Sequence, residues 1–441
     1  HSYAPGVVSW CALSSTMPGR MFMGFKSNSI SVYASKNKFT RNIPTFLMNI
    51  TFWTGWQVFV TVCLLVFLCI SLYNTRRFLK IEKRPFSGDP NSAPKISVLV
   101  PARNEETSIG RLVESLLKQD YPKYEVIVLN DNSSDRTGEI LNGFLKIPTV
   151  VLKVIDGVEL PAGWVGKNWA CHQLFKAATG ELLLFTDADT AYEPEALSSA
   201  ERFLHENDVD FFSVVPFQEV GTWSEKLVIP FLYYLFIAYL PNEFVLKRRD
   251  VKYSAANGQF MFFKKTVYET VGGHETVKNN IVEDIFLARL LKTKGYKIAL
   301  PNAVEIVRCR MYRNFSEVFK GFSKNYFAAM EYNLFVMSAF LLHLFALYIA
   351  PLIFVAVALI TSDFSIFAFW LPLSHILLAG IIRFIASVQF KMPAVQAFLH
   401  PASVLMVMII GINSVRWAFS KKGSEWKGRT YSKVETMPGN F

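Results

Sequence analysis

Residues 52–73 (FWTGWQVFVTVCLLVFLCISLY) run for 22 positions without a charged side chain. As a helix, a run of that length crosses about 30 Å of hydrocarbon, and core helices of soluble domains rarely need it. Trp53, Trp56 and Tyr73 stand near its ends, where interfacial aromatic belts form, and Arg76, Arg77, Lys80, Lys83 and Arg84 follow at once. Positive charge on that side predicts that the chain from residue 74 onward stays in the cytoplasm. Any fold must therefore serve two solvents, lipid for this segment and water for the polar remainder.

Three more apolar runs lie far downstream. Residues 334–360 give 27 uncharged positions, residues 364–382 give 19 and are closed by Arg383, and 24 more lie between Lys391 and Arg416, broken by Pro393 and Pro401. The simplest count is one N-terminal and about three C-terminal transmembrane helices, over 48–75 and 334–415. Three exits from a cytoplasmic domain would leave the basic tail at 416–441 (Arg416, Lys421, Lys422, Lys427, Arg429) outside, against the charge rule. The proline-broken last run is therefore also open to a re-entrant or interfacial reading. Residues 227–242 are apolar for 16 positions, too few to span comfortably. They read as a helix at the membrane surface or lining an acceptor groove, with an ordinary core helix as the alternative. Residues 1–47 resemble neither a signal peptide nor a domain. They read as a leader or disordered extension, with Met21, Met23 or Met48 as candidate starts.

Charge needs an address before it is interpreted. The net charge is +11, of which residues 1–51 carry +5, residues 74–95 carry +4 and residues 413–441 carry +4, leaving −2 for everything else. The excess flanks the apolar runs, as juxtamembrane charge facing anionic headgroups does. A nucleic-acid partner needs a basic face on the folded module, so none is expected. Charged residues are 18% of the chain, against roughly 25% in soluble domains. The five cysteines (Cys11, Cys63, Cys69, Cys171, Cys309) show no CxxC or Cys/His spacing. A disulfide framework or zinc site is not expected.

Residues 95–325 alternate strand and helix. Strands are predicted at Lys95–Val100, Tyr124–Leu129, Val150–Val154 and Leu182–Thr186, with helices near 108–119 and 135–145. That alternation implies an α/β, doubly wound, mostly parallel sheet, whose ligands bind at the carboxyl ends of strands. The polar clusters fall there. Pro101-Ala102-Arg103-Asn104-Glu105-Glu106 follows the first strand and Asn130-Asp131-Asn132-Ser133-Ser134-Asp135 the second. Asp135 suits a helix cap, and Asp131 a nucleobase or ribose. Asp187-Ala188-Asp189 ends the fourth strand. Paired carboxylates in an apolar setting are costly without a cation, and hard oxygens suit Mg²⁺ or Mn²⁺ shared with phosphates. Glu283-Asp284 opens a helical pattern that Gly295 ends. Such a carboxylate is an N-cap or a general base. Lys167, between Gly166 and a helix, is an anion contact or a solvent-facing lysine. Arg310 and Arg313 either neutralise a leaving diphosphate or are juxtamembrane charge.

Taken in order, SVLVPARNEE, VLNDNSSDRT, FTDADT, VGGHE and VEDIFLARLLKTKGY resemble glycosyltransferase family 2, with its GT-A fold, over the whole of 95–325. LPAGWVGKNWAC, RMYRNFSEVFKGFSKN and the tail EWKGRTY are similar to membrane-bound bacterial carotenoid (diaponeurosporenoate) glycosyltransferases and to hopanoid-associated relatives. The resemblance implies that Pro101, Asn104, Glu105 and Asp131 hold the uridine of a UDP-sugar. Asp187 and Asp189 would bind ribose or sugar and the metal on the diphosphate, and Asp284 would be the base of an inverting displacement with Glu283 beside it. Processive polysaccharide synthases carry a QxxRW motif after the base, and Arg308–Arg313 lacks it.

The expected activity is transfer of a sugar, from UDP-glucose in the first instance, to a membrane lipid such as an apocarotenoid, by a multi-pass cell-membrane protein with a cytoplasmic catalytic domain. The alternatives are transfer to a polyprenyl phosphate, a hopanoid or another lipid, a polysaccharide synthase, and a non-enzymatic membrane scaffold or transporter subunit. A transporter expects ionisable groups inside its spans, and the apolar C-terminal runs offer His343, His375 and His400.

Overall fold

The computed structural model describes residues 30–147, 151–420, 424–427 and 429–431. Residues 1–29 of the expected leader, and Lys421, Lys422 and 432–441 of the tail, lie outside the described residues. Helix α1 (Ile30–Arg77) contains the first apolar run. The backbone of residues 30–47 is helical and continuous with it.

Seven strands build the main sheet: β1 (Ile96–Ala102), β2 (Tyr124–Asn130), β3 (Leu152–Asp156), β4 (Leu182–Phe185), β5 (Phe211–Ser213), β6 (Met261–Lys264) and β7 (Ile298–Ala299), in the order β3-β2-β1-β4-β6-β5-β7. The first four in that order are parallel, β6 runs antiparallel to both neighbours, and β5 pairs parallel with β7. Successive residues Val98, Leu99 and Val100 are all fully buried, because helices cover both faces of the parallel part. Helix α2 (Ile109–Leu116) buries Ile109, Leu112, Val113 and Leu116, the i, i+3, i+4, i+7 stripe of an amphipathic helix. Helix α3 (Thr137–Leu145) follows β2, and helix α4 (Gly166–Ala177) precedes β4.

Register places the site. Ala102 stands opposite Asn130 and Leu99 opposite Phe185, so the loops bearing Asn104, Asp131 and Asp187 leave the sheet side by side. A small second sheet pairs Val307–Cys309 with Thr190–Tyr192 and Phe217–Gln218. It brings Arg310 N–H to Asp189 O at 3.1 Å.

Residues 227–242 pack against the C-terminal apolar segments, with Tyr234 Oη 2.9 Å from Tyr348 Oη and Tyr239 Oη 2.8 Å from His343 Nε2, a position that suits the surface-helix reading as well as the core one. Helix α5 (Pro230–Ala238) buries Pro230, Phe231, Tyr233, Tyr234, Ile237 and Ala238. Helix α6 (Glu283–Thr293) carries the Glu-Asp pair, and helix α7 (Phe315–Ala329) leads toward the C-terminal runs.

Four helical segments among the described residues are long and apolar enough to cross a membrane: Phe52–Arg77, Leu334–Thr361, Ile366–Gln389 and Ala394–Phe419. Within the third, helix α8 (Leu371–Gln389) runs past Arg383, which the charge-free reading had used as the end of the run. Arg383 is fully buried and donates to the Pro230 carbonyl. That carbonyl takes one of its donors, while Nε and Nη2 have no hydrogen-bond partner among the described residues. His375 Nε2 lies 2.8 Å from Thr61 Oγ1, His343 Nε2 lies 2.8 Å from Tyr239 Oη, and His400 is enclosed by the rings of Phe231, Tyr234 and Tyr348. Each histidine is packed.

The loop ahead of the fourth segment and that segment's far end, in helix α9 (His400–Phe419), both meet the α/β domain. Just before it, Gln389 O accepts from Asn302 Nδ2 at 3.1 Å and Lys391 pairs with Glu305 at 2.8 Å. Near its far end, Ser414 Oγ accepts the Phe327 N–H at 2.9 Å, and Arg416 and Trp417 reach the cavity described below.

Candidate functional site

A cavity of about 1490 Å³ opens at the carboxyl ends of the strands. Pro101, Asn104, Glu105, Asp131, Lys167, Asp187, Asp189, Glu283, Asp284, Arg310 and Arg313, the residues singled out from the sequence, all line it.

The loop after β1 turns at Asn104, whose φ is 52°. Asparagine tolerates this left-handed conformation better than most residues. Its Oδ1 then accepts the Ser134 N–H at 2.8 Å, tying the β1 and β2 loops together. Asp135 accepts the backbone N–H groups of Thr137 and Glu106 at 3.0 and 3.1 Å, which spends it on the start of α3. Asp131 is left for the cavity, with Glu105 fixed beside it by Ser108 Oγ at 2.8 Å.

Lys167 joins two clusters that are far apart in sequence. Its Nζ lies 2.7 Å from Asp187 Oδ1 and 2.8 Å from Glu283 Oε1. Burial alone would lower its pKa, but the Asp187 and Glu283 charges outweigh that and raise it well above the usual lysine value. The lysine is thus a fixed cation at the junction of the two acid pairs, and the solvent-facing alternative is excluded.

Asp284 sits in the first turn of α6. Its Oδ2 accepts the Gly258 N–H and its Oδ1 the Ile285 N–H, both at 2.8 Å. Burial, then the neighbouring Glu283 charge, push its pKa up to about 7. A group poised there can exchange a proton near neutral pH. Gly258 is required by space: a Cβ would lie 2.9 Å from Lys167 Nζ and 3.3 Å from Glu283 Oε1.

Asp189 is raised to about 7 by burial and by the Asp187 and Glu105 charges, and its buried Oδ1 has no hydrogen-bond partner. An orphaned carboxylate oxygen beside a second carboxylate fits a hard divalent cation. Among the described residues no group of three or more His, Cys, Asp or Glu could hold a metal alone. The protein would therefore supply two carboxylates, and donor phosphates the further ligands.

Arg310 Nε lies 3.4 Å from Glu225 Oε2, and Arg313 Nη2 donates to Thr107 O at 3.0 Å. The same wall holds basic residues that the sequence did not single out: Arg103, Lys320, Lys324, Arg416 and Lys427. Burial pushes Lys324 down to about 8. A signal existed in FKGFSKN, where Lys320 and Lys324 are one helical turn apart and share a face.

Strand-end carboxylates facing a basic wall define a polar site, suited to a negatively charged ligand, on an α/β sheet. Residues 97–272 match the family described as glycosyl transferase family 2. That segment is a family 2 glycosyltransferase domain, and its fold is GT-A. The chain is similar to 4,4'-diaponeurosporenoate glycosyltransferases of Staphylococcus aureus (strain USA300), 25% identical over 257 residues, and of Staphylococcus haemolyticus (strain JCSC1435), 26% identical over 258 residues. The matches cover 58% of this chain and 65% and 66% of those relatives, in each case less than two thirds of the relative's length. Among solved structures it is similar to a mannosyltransferase from Pyrobaculum calidifontis in complex with GDP-Man and Mn²⁺. That likeness has 17% identity, a TM-score of 0.47, and covers 81% of this chain and 99% of the other.

Proposed function

We propose that the chain is a membrane-bound, inverting glycosyltransferase. It transfers a sugar from a nucleotide sugar, UDP-glucose in our reading, to an apocarotenoid lipid such as a diaponeurosporenoate. The observation that carries this reading is the composition of one cavity. Asp131, Asp187, Asp189 and Asp284 share it with Arg416 and Trp417 at the end of an apolar segment. A water-soluble donor and a lipid acceptor can meet only where such surfaces adjoin. The similarity to diaponeurosporenoate glycosyltransferases supports the acceptor class.

In this mechanism Pro101, Asn104, Glu105 and Asp131 hold the nucleoside. Lys167, Arg310 and Arg313 set positive charge against the diphosphate. Mg²⁺ or Mn²⁺ held by Asp189 and Asp187 would offset the phosphate charge when bound. The acceptor oxygen attacks the anomeric carbon, the bond from that carbon to the diphosphate oxygen breaks on the opposite face, and the configuration inverts. Asp284 takes the proton of a hydroxyl acceptor and Glu283 keeps Lys167 in place. A carboxylic acid acceptor is already ionised at neutral pH. For it, Asp284 serves mainly to orient the acceptor or the sugar.

The charge after the first run places the catalytic domain on the cytoplasmic side of the cell membrane. A segment that begins and ends on that domain lies along the membrane surface instead of crossing. With Ala394–Phe419 in that position, three crossings remain and the basic tail stays on the domain's side, as the charge rule requires.

Lipid analysis of cells expressing the chain tests the acceptor. A glycosylated carotenoid is expected. A glycosyl phosphoprenol or a modified hopanoid in its place would move the reading to those acceptors.

A further inference from the structure

The tail motif at 425–431 takes no part in that mechanism, yet it is seated on the site. Ser424–Trp426 and Arg429–Tyr431 pair as an antiparallel hairpin shortly after α9. Arg429 Nη1 and Nη2 donate to Asp131 Oδ2 and Oδ1 at 2.5 and 2.9 Å. This is a fork-on-fork pair with side chains only 15% and 3% exposed. Lys427 Nζ lies 2.6 Å from Glu105 Oε1 and donates to Asn104 O at 2.8 Å. In return, Arg103 donates through Nε to Lys427 O at 3.0 Å and through Nη1 to Asp131 O at 2.7 Å. The hairpin thus grips the β1 and β2 loops together.

The direction of the grip decides what it does. Asp131 and Lys427 line the cavity, and Arg429 is not among its lining residues. Arg429 therefore holds Asp131 from behind. A carboxylate has about four lone-pair sites, and the guanidinium takes two, so the cavity side of Asp131 can still accept from a ligand.

We propose that Arg429 and Lys427 are positioning residues of the donor site. They fix Asp131 and Glu105 in the orientation that accepts the N–H and O–H groups of a nucleoside diphosphate. The hairpin ties that orientation to α9, the helix beside the lipid. The proposal rests on the nucleotide-sugar reading above.

The test is UDP binding by the full-length protein in detergent, with donor KM and kcat, for wild type, Arg429→Ala and Arg429→Lys. Loss of the bidentate charged pair is expected to weaken UDP binding about tenfold and raise donor KM by a similar factor. At saturating donor, kcat should stay within about twofold, since the interaction acts on binding and not on the transition state alone. Arg429→Lys should restore only part of the affinity, because an ammonium cannot make the fork. Lys427→Ala, which leaves the Asp131 pair intact, should show the same pattern with a smaller shift. Unchanged or tighter UDP binding in Arg429→Ala, with wild type binding normally, overturns the role of the hairpin alone. A wild-type protein that binds no nucleoside diphosphate overturns the functional reading and this proposal with it.

Discussion

The two walls of the cavity are built differently. The sheet-side wall is acidic and rigid. Asp131 follows β2 and Asp187 and Asp189 follow β4, the two strands that flank β1 and whose register with it fixes their spacing. The membrane-side wall is basic, and its residues come from helices and the tail: Lys320 and Lys324 from α7, Arg416 from α9 and Lys427 from the hairpin. In the proposed mechanism the acidic wall holds the nucleoside and a cation, and Lys320, Lys324 and Arg416 receive the departing diphosphate, Lys427 being paired with Glu105. Chemistry that separates negative charge from a sugar needs both.

The largest expected effect separates the base from the rest of the acidic wall. Asp284→Asn should lower kcat toward a hydroxyl acceptor by about 10²–10⁴-fold, the range for loss of a general base. Transfer to a matched carboxylate acceptor should fall far less, and equal losses on both would end the distinction. Below the raised pKa near 7, Asp284 gains a proton. Activity toward the hydroxyl acceptor should therefore decline as pH falls from 8 to 6, while the carboxylate acceptor shows a weaker dependence.

Next in size is crowding at the junction of the walls. Gly258→Ala places a methyl group 2.9 Å from Lys167 Nζ. It should reduce kcat/KM by about tenfold or more, since small misplacements of reacting groups are amplified in rate. The melting temperature should fall as well, because moving Lys167 weakens its pairs with Asp187 and Glu283.

The smallest effect probes the basic wall. Lys324, with its pKa pushed down to about 8, loses its charge as pH rises through that value. Donor KM should then increase between pH 7 and pH 9, by a few-fold for one partly screened charge. Lys324→Arg, which stays charged, should flatten that rise. A rise unaffected by the substitution would remove Lys324 from the diphosphate path.

The contrast between the walls also explains what the sequence made legible. Acids at strand ends stand next to their strands in the chain, so β1, β2 and β4 carried their own signals in VLVPARNEE, VIVLNDN and LLLFTDADT. In the six-residue turn 130–135, Asp135 caps α3 and Asp131 faces the cavity, as their types suggested. The basic wall is assembled by tertiary contact. Lys427 meets Glu105, and Arg429 meets Asp131 across 298 positions of sequence, and nothing local marks that encounter. Arg383 misled for a related reason. A charge reads as the end of a lipid-facing run, whereas Arg383 is buried inside, with Nη1 on the Pro230 carbonyl and Nε and Nη2 without a hydrogen-bond partner among the described residues. Lys167 was ambiguous in sequence because both its partners, Asp187 and Glu283, arrive from other elements.

The most direct test is sugar transfer by the purified chain in carotenoid-containing vesicles supplied with radiolabelled UDP-glucose, with and without Mn²⁺ or Mg²⁺. Label should move into the lipid phase on a carotenoid ester only when metal is present, and Asp187→Asn and Asp189→Asn should each abolish the movement. Label that remains in the aqueous phase with wild-type protein, across UDP-sugars and acceptors, would contradict a site that joins a nucleotide sugar to a membrane lipid.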